Sequence, residues 1–302
     1  MDDNLSARTL PVPAQKARLS TSDGRPALHG LFSYGGDMVD FFGFARELLE
    51  KKRAEIAEPY AEAELYDLLN PRLQSDRFYV QFAKERGGRV LDLACGSGRL
   101  LAQLVDAGLE VAGVDVAPAM LERARRRLGD RVAQVELVLG DMRSFSFDRP
   151  FRSILIPYCS LIYMHTDADR LSVFRRCREH LVDGGWLAFD FLAGRVEPSE
   201  SMPSLALQGI HPFTEEVLVG VVQVKGLAHD LRLLNQINYT LPKGGGSAPI
   251  TVCASREAVV EPERMVELVD EAGLAVEGVF GSAALETYEG GEECLIVARR
   301  RP

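Results

Sequence analysis

Short apolar runs alternate with amphipathic stretches between residues 87 and 192. This alternation is typical of buried parallel strands covered by helices. It predicts a doubly wound α/β sheet of the Rossmann-like kind. The predicted strands are Val90–Leu93, Val111–Val114, Val135–Leu139, Phe151–Ile156 and Trp186–Phe191, with helices near 98–107, 117–128 and 167–182, the last ending at Asp183-Gly184-Gly185.

Period-two stretches replace this alternation over residues 193–259 and predict an antiparallel β meander inserted into the α/β domain. The α/β pattern resumes over 260–302 with one helix that begins at a proline and a closing pair of strands. The predicted elements are strands at Val217–Val224, His229–Leu241 and Ile250–Ser255, a helix at Pro262–Ala272, and strands at Leu274–Val279 and Glu293–Ala298.

The region before the sheet divides into an arm and a cap. Residues 1–30 are rich in Ser, Pro, Ala and charged residues without a clear period, which predicts a poorly ordered arm. Over 31–86 apolar residues recur at roughly helical spacing from Phe41 to Leu69, interrupted by the polar run Glu50 to Arg53. This spacing predicts a cap of two or three helices.

Charge and cysteine content narrow the class of protein. The net charge is -9, and the basic run Arg123-Ala124-Arg125-Arg126-Arg127 has the spacing of a solvated helix face, so a nucleic-acid partner is not expected. The five cysteines form no CxxC pair, which favours a reduced, cytoplasmic protein without structural zinc. The sequence contains no run of about 18 apolar residues, so a membrane span is not expected.

The most informative segment runs from Val90 to Leu100, where an apolar strand, a tight turn with Gly96 and Gly98, and a helix start follow one another. Glycines let the backbone approach a ligand, and the start of a helix offers free N–H groups. Asp115 comes at the end of the second predicted strand and Asp141 just past the third, so both carboxylates fall on the same edge as the glycine turn. Open α/β sheets bind ligands at this edge.

A dinucleotide site is the first alternative, because its glycine fingerprint is also followed by an acidic residue on the second strand. In this chain Leu101 occupies the position of the third small residue of that fingerprint. A pyrophosphate also has no need of Asp141. A nucleoside-type ligand therefore explains the pattern better.

These segments together resemble the class I S-adenosylmethionine-dependent methyltransferases. The resemblance is to small-molecule enzymes with an antiparallel insertion and a helical cap, such as the amino-sugar N-methyltransferases, and it covers residues 60–300. The matching segments are Leu91 to Gly98, Gly113 to Leu121, Gly140-Asp141-Met142, Leu181 to Gly185, His229 to Asn238 and Tyr66-Asp67-Leu68-Leu69.

The resemblance implies that S-adenosylmethionine is the cofactor and assigns a set of residues to it. By position these are Asp92 with the backbone around Ala94, Gly96 and Gly98 for the methionine moiety, Asp115 with Val116 for the ribose, Met120, Asp141 and Met142 for the adenine, and Tyr66 and Pro157 beside them.

The acceptor is expected near the segment that follows the fourth strand. Tyr158 and Ser160 are the candidate substrate contacts there. Related amino-sugar enzymes often have a histidine near the position of Tyr163, so Tyr163, His165 and, from the cap, Tyr60 are the candidate catalytic residues. The alternative for Tyr158 and Tyr163 is that they are half-buried aromatic residues with satisfied hydroxyls, and for His165 a helix-capping or solvent role.

A strong base is not required for methyl transfer, since proximity and desolvation lower the barrier of an in-line displacement. No cluster with metal-ligand spacing occurs in the sequence, which predicts a metal-independent reaction. The expected activity is methyl transfer to an N, O or C atom of a small molecule in specialised metabolism. The alternatives are an NAD(P)-dependent oxidoreductase and a catalytically silent cofactor-binding scaffold. A homodimer is the candidate oligomeric state.

The cap is expected to close over the cofactor. Tyr60 and Tyr66 are six residues apart, which places their side chains about 120° apart on a straight helix. Both can face a ligand only if the helix breaks between them. The alternative is that the segment packs as scaffold or as a dimer contact.

Overall fold

The computed structural model of the chain describes residues 40–57, 75–210, 214–228, 230–246, 248 and 250–301. Its helices are α1 Gly43–Glu50, α2 Ser75–Arg86, α3 Arg99–Asp106, α4 Pro118–Leu128, α5 Asp167–His180 and α6 Pro262–Glu271. Its strands are β1 Ala54–Ile56, β2 Arg89–Leu93, β3 Glu110–Asp115, β4 Val135–Leu139, β5 Phe151–Ile156, β6 Leu181–Leu192, β7 Ser204–Ile210, β8 Val217–Ala228, β9 Leu231–Leu241, β10 Ile250–Ala258, β11 Leu274–Phe280 and β12 Glu293–Arg300.

The larger sheet has seven strands in the order β11-β12-β6-β5-β2-β3-β4. The five strands from β6 to β4 are parallel, and β12 runs antiparallel between β6 and β11. All five residues of β2 are buried, because helices cover both faces of a doubly wound sheet. The predicted fold class is confirmed, and the carboxyl ends of β6, β5, β2, β3 and β4 meet at one edge.

The smaller sheet has the order β1-β10-β9-β8-β7 and is formed mainly by the segment between β6 and α6. The predicted meander accounts for β8, β9 and β10, which pair antiparallel. The sequence analysis did not predict β7, an edge strand whose residues are nearly all exposed. Because a strand buries an alternating face only where something packs on it, an exposed edge leaves no period-two signal.

The cap differs from the predicted set of helices. After α1, the polar run Glu50 to Arg53 ends the helix, and β1 pairs parallel with β10 through Ala54 opposite Ile250. The buried side chain of Asn235 on β9 accepts a hydrogen bond from the Phe42 amide at 2.9 Å and donates one to the Asp40 carbonyl at 2.9 Å. Helix α1 therefore packs on the smaller sheet, while residues 58–74 lie outside the described residues.

The boundary between α5 and β6 also differs from the prediction. The helix predicted to reach residue 182 ends at His180, and Asp183-Gly184-Gly185 lies inside β6. Phe151 of β5 pairs with Leu181, but Ser153 pairs with Trp186, so the intervening residues form a bulge. Gly184 takes a φ of +66° there. The left-handed glycine therefore lies in a bulge of a strand. In sequence such a glycine looks the same as one that ends a helix, which explains the wrong prediction.

None of the helices within the described ranges is long and apolar enough to cross a membrane.

Candidate functional site

The turn after β2 has a left-handed backbone at three residues, with φ of +66° at Ala94, +53° at Gly96 and +75° at Gly98. A Cβ added at Gly98 would lie 2.8 Å from the Cβ and 3.0 Å from the Cα of Ala124, so α3 packs on α4 only with glycine there. At Gly96 an added Cβ would meet no atom of the described residues within 4 Å. The turn therefore packs on protein at Gly98 and leaves space beside Gly96. Such space allows a ligand to approach the backbone closely.

Asp115 ends β3 and fixes the shape of this turn. Its Oδ2 accepts a hydrogen bond from the Gly96 amide at 2.7 Å, and its Oδ1 accepts one from the Ala117 amide at 2.8 Å. Burial raises the pKa of Asp115, and the two amides oppose that rise. Since each carboxylate oxygen has two lone pairs, the half-buried group retains capacity to accept from a vicinal diol.

Asp92 lies on β2 beside this turn and is 1% exposed. Neither of its carboxylate oxygens has a hydrogen-bond partner among the described residues. Burial, and then the charges of Asp115 and Asp76, raise the pKa of Asp92 to about 8. A buried polar group normally has a partner, so this carboxylate is placed to receive a cationic group of a ligand.

Asp141 follows β4 at the far end of the same edge and pairs with Arg143, whose amide donates to Oδ1 at 2.8 Å. Arg143 also donates to Asp169 at 2.8 Å. These bonds hold the pKa of Asp141 below its usual value despite its partial burial. Of the other predicted cofactor residues within the described ranges, Met120, Met142 and Pro157 are buried and Ala94 and Val116 are half-buried.

The turn after β5 is left-handed without any glycine, with φ of +61° at Tyr158 and +53° at Cys159. Two buried aspartates hold it in that conformation. The Tyr158 hydroxyl donates to Asp76 of α2, and the Cys159 amide donates to Asp190 of β6 at 2.5 Å. The Arg99 guanidinium lies 4.4 Å from the centre of the Tyr158 ring. The strain of the turn is thus offset by polar contacts from three other elements.

A cavity of about 440 Å³ opens beside this turn, between the end of β6, the start of β12 and the smaller sheet. Burial raises the pKa of its Asp190 carboxyl to about 7, even though the Cys159 amide opposes that rise. Glu257 is buried and accepts from Arg232 at 2.8 Å. The charged residues of the lining are Arg99, Asp190, Arg232, Glu257 and Glu293.

The carboxyl edge therefore has two halves. The glycine-turn half comprises Asp92, residues 94–98, residues 115–117, Asp141 and Met142. The cavity half comprises the turn of Tyr158 and Cys159, Asp190 and the other lining residues. Because β5 lies next to β2 in the sheet, the two halves are adjacent.

The residues predicted to contact or activate the acceptor differ in whether they line the cavity. Tyr158 lines the cavity, but its hydroxyl is committed to Asp76. The Ser160 hydroxyl donates to the Pro157 carbonyl at 2.7 Å, and the His165 Nε2 lies 3.0 Å from the Arg256 carbonyl on β10. Tyr163 is half-buried in the short 3-10 helix Ser160–Tyr163. Tyr60 and Tyr66 lie outside the described residues, and all of these roles stay predictions.

Sequence reasoning missed Asp76 and Asp190. Asp190 stands inside the predicted apolar strand Trp186–Phe191, near its carboxyl end, and a charged residue in a buried strand at the ligand-binding edge was the available signal. Asp76, in the first turn of α2, gave no such signal, because an acidic residue is common at the start of a helix.

No group of three or more His, Cys, Asp or Glu side chains within the described ranges is placed to hold a metal ion. Metal independence stays a prediction.

Part of the chain is similar to proteins of known family. Residues 90–185 match the family model described as a methyltransferase domain. The chain is 27% identical over 245 residues to the cypemycin N-terminal methyltransferase of a Streptomyces species, covering 79% of this chain and 95% of that protein. It is 30% identical over 149 residues to the dTDP-3-amino-3,6-dideoxy-alpha-D-glucopyranose N,N-dimethyltransferase of Streptomyces fradiae, covering 44% of this chain and 57% of that enzyme.

Solved structures share the fold. The CcbJ methyltransferase from Streptomyces caelestis matches with a TM-score of 0.66 and 20% identity, over 80% of this chain and 96% of that one. The glycopeptide N-methyltransferase MtfA complexed with S-adenosyl-L-homocysteine matches with a TM-score of 0.55 and 23% identity, over 87% of this chain and 99% of that one. Several other curated relatives are covered over only about half of their length.

Proposed function

We propose that this chain, which belongs to the class I S-adenosylmethionine-dependent methyltransferases, transfers the methyl group of that cofactor to an amine nitrogen of a small molecule held in the cavity half. The observation that carries the proposal is the adjacency of the two halves. A backbone turn open at Gly96, beside two carboxylates, adjoins an acidic cavity on the same sheet edge.

The glycine-turn half fits the cofactor in two respects. The buried Asp92 oxygens have no partner among the described residues, and the amino group of a methionine moiety supplies a cation to them. The space above Gly96 is open, and Asp115 has lone pairs left for ribose hydroxyls. Leu101 is fully buried where a dinucleotide-binding chain needs a small residue, which disfavours the oxidoreductase alternative.

When bound, S-adenosylmethionine supplies an electrophilic methyl group on a positively charged sulfur. The chain contributes orientation and exclusion of water. Asp115 holds the Gly96 and Ala117 amides in place on one side, and Asp76 and Asp190 hold the Tyr158–Cys159 turn on the other. Groups fixed in this way lower the barrier by positioning the two reactants before they meet.

The choice of nitrogen rests on two supports. Of the curated relatives named above, one is an N-terminal methyltransferase and the other an N,N-dimethyltransferase of an amino sugar. In addition, Asp190 and Glu293 of the cavity form no ion pair with a lysine or arginine in the described part of the chain. An acidic cavity favours a cationic acceptor over a phenol or a carboxylate.

Calorimetry followed by an acceptor screen tests the proposal. The purified protein is titrated with S-adenosylmethionine, S-adenosylhomocysteine and NADH, and methyl-labelled cofactor is then offered with amines, phenols and carboxylates. We expect heat with the first two ligands and label transfer to amines. Binding of NADH alone would favour an oxidoreductase, and cofactor binding with no transfer to any class would favour the silent scaffold. Transfer to phenols or carboxylates only would overturn the choice of nitrogen.

Three finer expectations belong with this function. A cytoplasmic location agrees with the five cysteines, none of which forms a disulfide within the described part of the chain. A homodimer remains a candidate assembly. Tyr60, Tyr163 and His165 remain the candidate catalytic residues from the sequence.

A further inference from the structure

The cavity half contains more acidic than basic side chains once internal pairs are set aside. Glu257 is paired with Arg232 at 2.8 Å, and the Arg99 guanidinium lies 3.7 Å from Asp76. The two carboxylates left are Asp190, which is buried, and Glu293, which is exposed at the start of β12. The cavity lining therefore presents one buried and one exposed carboxylate.

Asp190 is a buried residue of the cavity lining. It is 9% exposed and lies near the carboxyl end of β6, opposite Leu295 of β12. One of its oxygens, Oδ1, accepts from the Cys159 amide. Asp190 lines the cavity next to the turn that adjoins the glycine-turn half, and its carboxylate has lone pairs beyond the one that accepts from Cys159. The Tyr79 hydroxyl of α2 is a second neighbour of this carboxylate.

Among Asp190 and its neighbours Tyr79 and Cys159, it is the Asp190 carboxyl that has a pKa near neutral. Burial and nearby acidic charge raise the pKa of the Tyr79 hydroxyl and of the Cys159 thiol well above their usual values, so both stay neutral. The charged and titratable groups that act on Asp190 or line the cavity with it are Tyr79 of α2, Arg99 of α3, Tyr158 and Cys159 of the turn, Arg232 of β9, Glu257 of β10, and Glu293 and Cys294 of β12.

We infer that Asp190 binds the protonated amino group of the acceptor and takes one proton from it before methyl transfer, an inference that rests on the function proposed above. The ammonium group gives a proton to the Asp190 carboxylate and becomes a neutral amine. The nitrogen lone pair then forms a bond to the methyl carbon as the bond from that carbon to sulfur breaks. Asp190 releases its proton toward Glu293 and water. A carboxyl group that titrates near neutral pH serves this step better than an ordinary one.

Binding of simple amines to the protein loaded with S-adenosylhomocysteine tests the inference. The probes are cyclohexylamine and phenethylamine, each compared with the corresponding alcohol. In the wild type we expect both amines to bind more tightly than the alcohols, and more tightly at about pH 8 than at about pH 6, because Asp190 ionises across that range while the amines stay protonated. In Asp190→Asn we expect affinity for the amines to fall roughly 10- to 100-fold and the pH dependence to vanish.

Asp183→Asn is the matched control, because Asp183 lies on the same strand but is 77% exposed at its other end. The amide of Asp190→Asn still offers an oxygen to Cys159, so the turn is preserved. Equal affinity for amine and alcohol in the wild type, or an amine affinity in Asp190→Asn equal to that of Asp183→Asn, would overturn the inference. If S-adenosylhomocysteine gives no heat with the wild type, the proposed function fails. If cofactor binding and amine methylation are unchanged in Asp190→Asn, only the inference about Asp190 is rejected and the proposed function stands.

Discussion

The two halves of the carboxyl edge differ in how far apart their contacts are along the chain. In the glycine-turn half Asp115 is bonded to residues 19 and 2 positions away, and Asp141 to a residue 2 positions away. In the cavity half the turn after β5 is hydrogen-bonded to residues 82 and 31 positions away. In the segment that follows this turn, His165 is hydrogen-bonded to a residue 91 positions away. The contacts of the glycine-turn half are therefore mostly local in the chain, while those of the cavity half depend on the tertiary fold.

The largest effect is expected from Asp115→Ala in the glycine-turn half. The substitution removes the acceptor of two backbone amides and of the proposed ribose contact, and hydrogen bonds to a charged group contribute about 1.5–3 kcal/mol each. We expect cofactor affinity to fall by about 3 kcal/mol or more, together with a lower melting temperature. Calorimetry with S-adenosylhomocysteine measures the first quantity, and unchanged affinity would reject the ribose assignment.

The local half is also the half that sequence reasoning could describe. Gly96, Gly98 and Asp115 are close in the chain, and the elements around them follow from apolar periodicity, so β4 and β5 have the predicted bounds. The β5 turn gave no comparable signal, since its left-handed residues are Tyr158 and Cys159 rather than glycines. Its conformation depends on Asp76 and Asp190, and no spacing rule connects residues that meet only after the sheet and α2 have packed.

Asp92→Asn is expected to separate binding from stability in the glycine-turn half. Burial raises the pKa of Asp92 from 3.8 in the unfolded chain to about 8 in the folded one. The ligand-free folded protein therefore holds a proton that the unfolded chain releases between those values, so the free energy of unfolding falls as pH rises through that window. We expect the asparagine variant to lose part of this fall and to be more stable by about 2 kcal/mol at alkaline pH.

The same substitution removes the partner proposed for the methionine amino group, so cofactor affinity should fall while the melting temperature of the ligand-free protein rises. Thermal unfolding from about pH 5 to about pH 9, with and without S-adenosylhomocysteine, measures both. A variant that is less stable than the wild type at alkaline pH would show that Asp92 is paired in solution.

Tyr158→Phe addresses the cavity half, where the sequence suggested a substrate contact. The buried hydroxyl donates to Asp76, which also accepts from Gln103 at 2.8 Å. Loss of one bond to a charged group should lower the free energy of unfolding by about 1.5 kcal/mol, with cofactor affinity retained. Denaturant unfolding and calorimetry test this. If stability is unchanged and the Michaelis constant for the acceptor rises instead, Tyr158 contacts the substrate and the Asp76 bond is not formed in solution.

The smallest effect is expected at His165, a candidate catalytic residue whose ring nitrogen Nε2 is 3.0 Å from the Arg256 carbonyl on β10. Arg256 in turn pairs with Asp40 through its side chain, so His165 links the segment after β5 to the smaller sheet and to the residues before α1. A half-exposed hydrogen bond of this kind contributes about 1 kcal/mol.

Two variants test the role of this residue, since His165→Gln keeps a hydrogen-bond donor and His165→Ala removes it. We expect Ala to lower the melting temperature slightly, Gln to recover most of that loss, and the pH profile of turnover to stay unchanged in both variants. A general base would give the opposite pattern: turnover would fall in both variants, with stability little altered in Gln, and the rise of activity with pH would be lost.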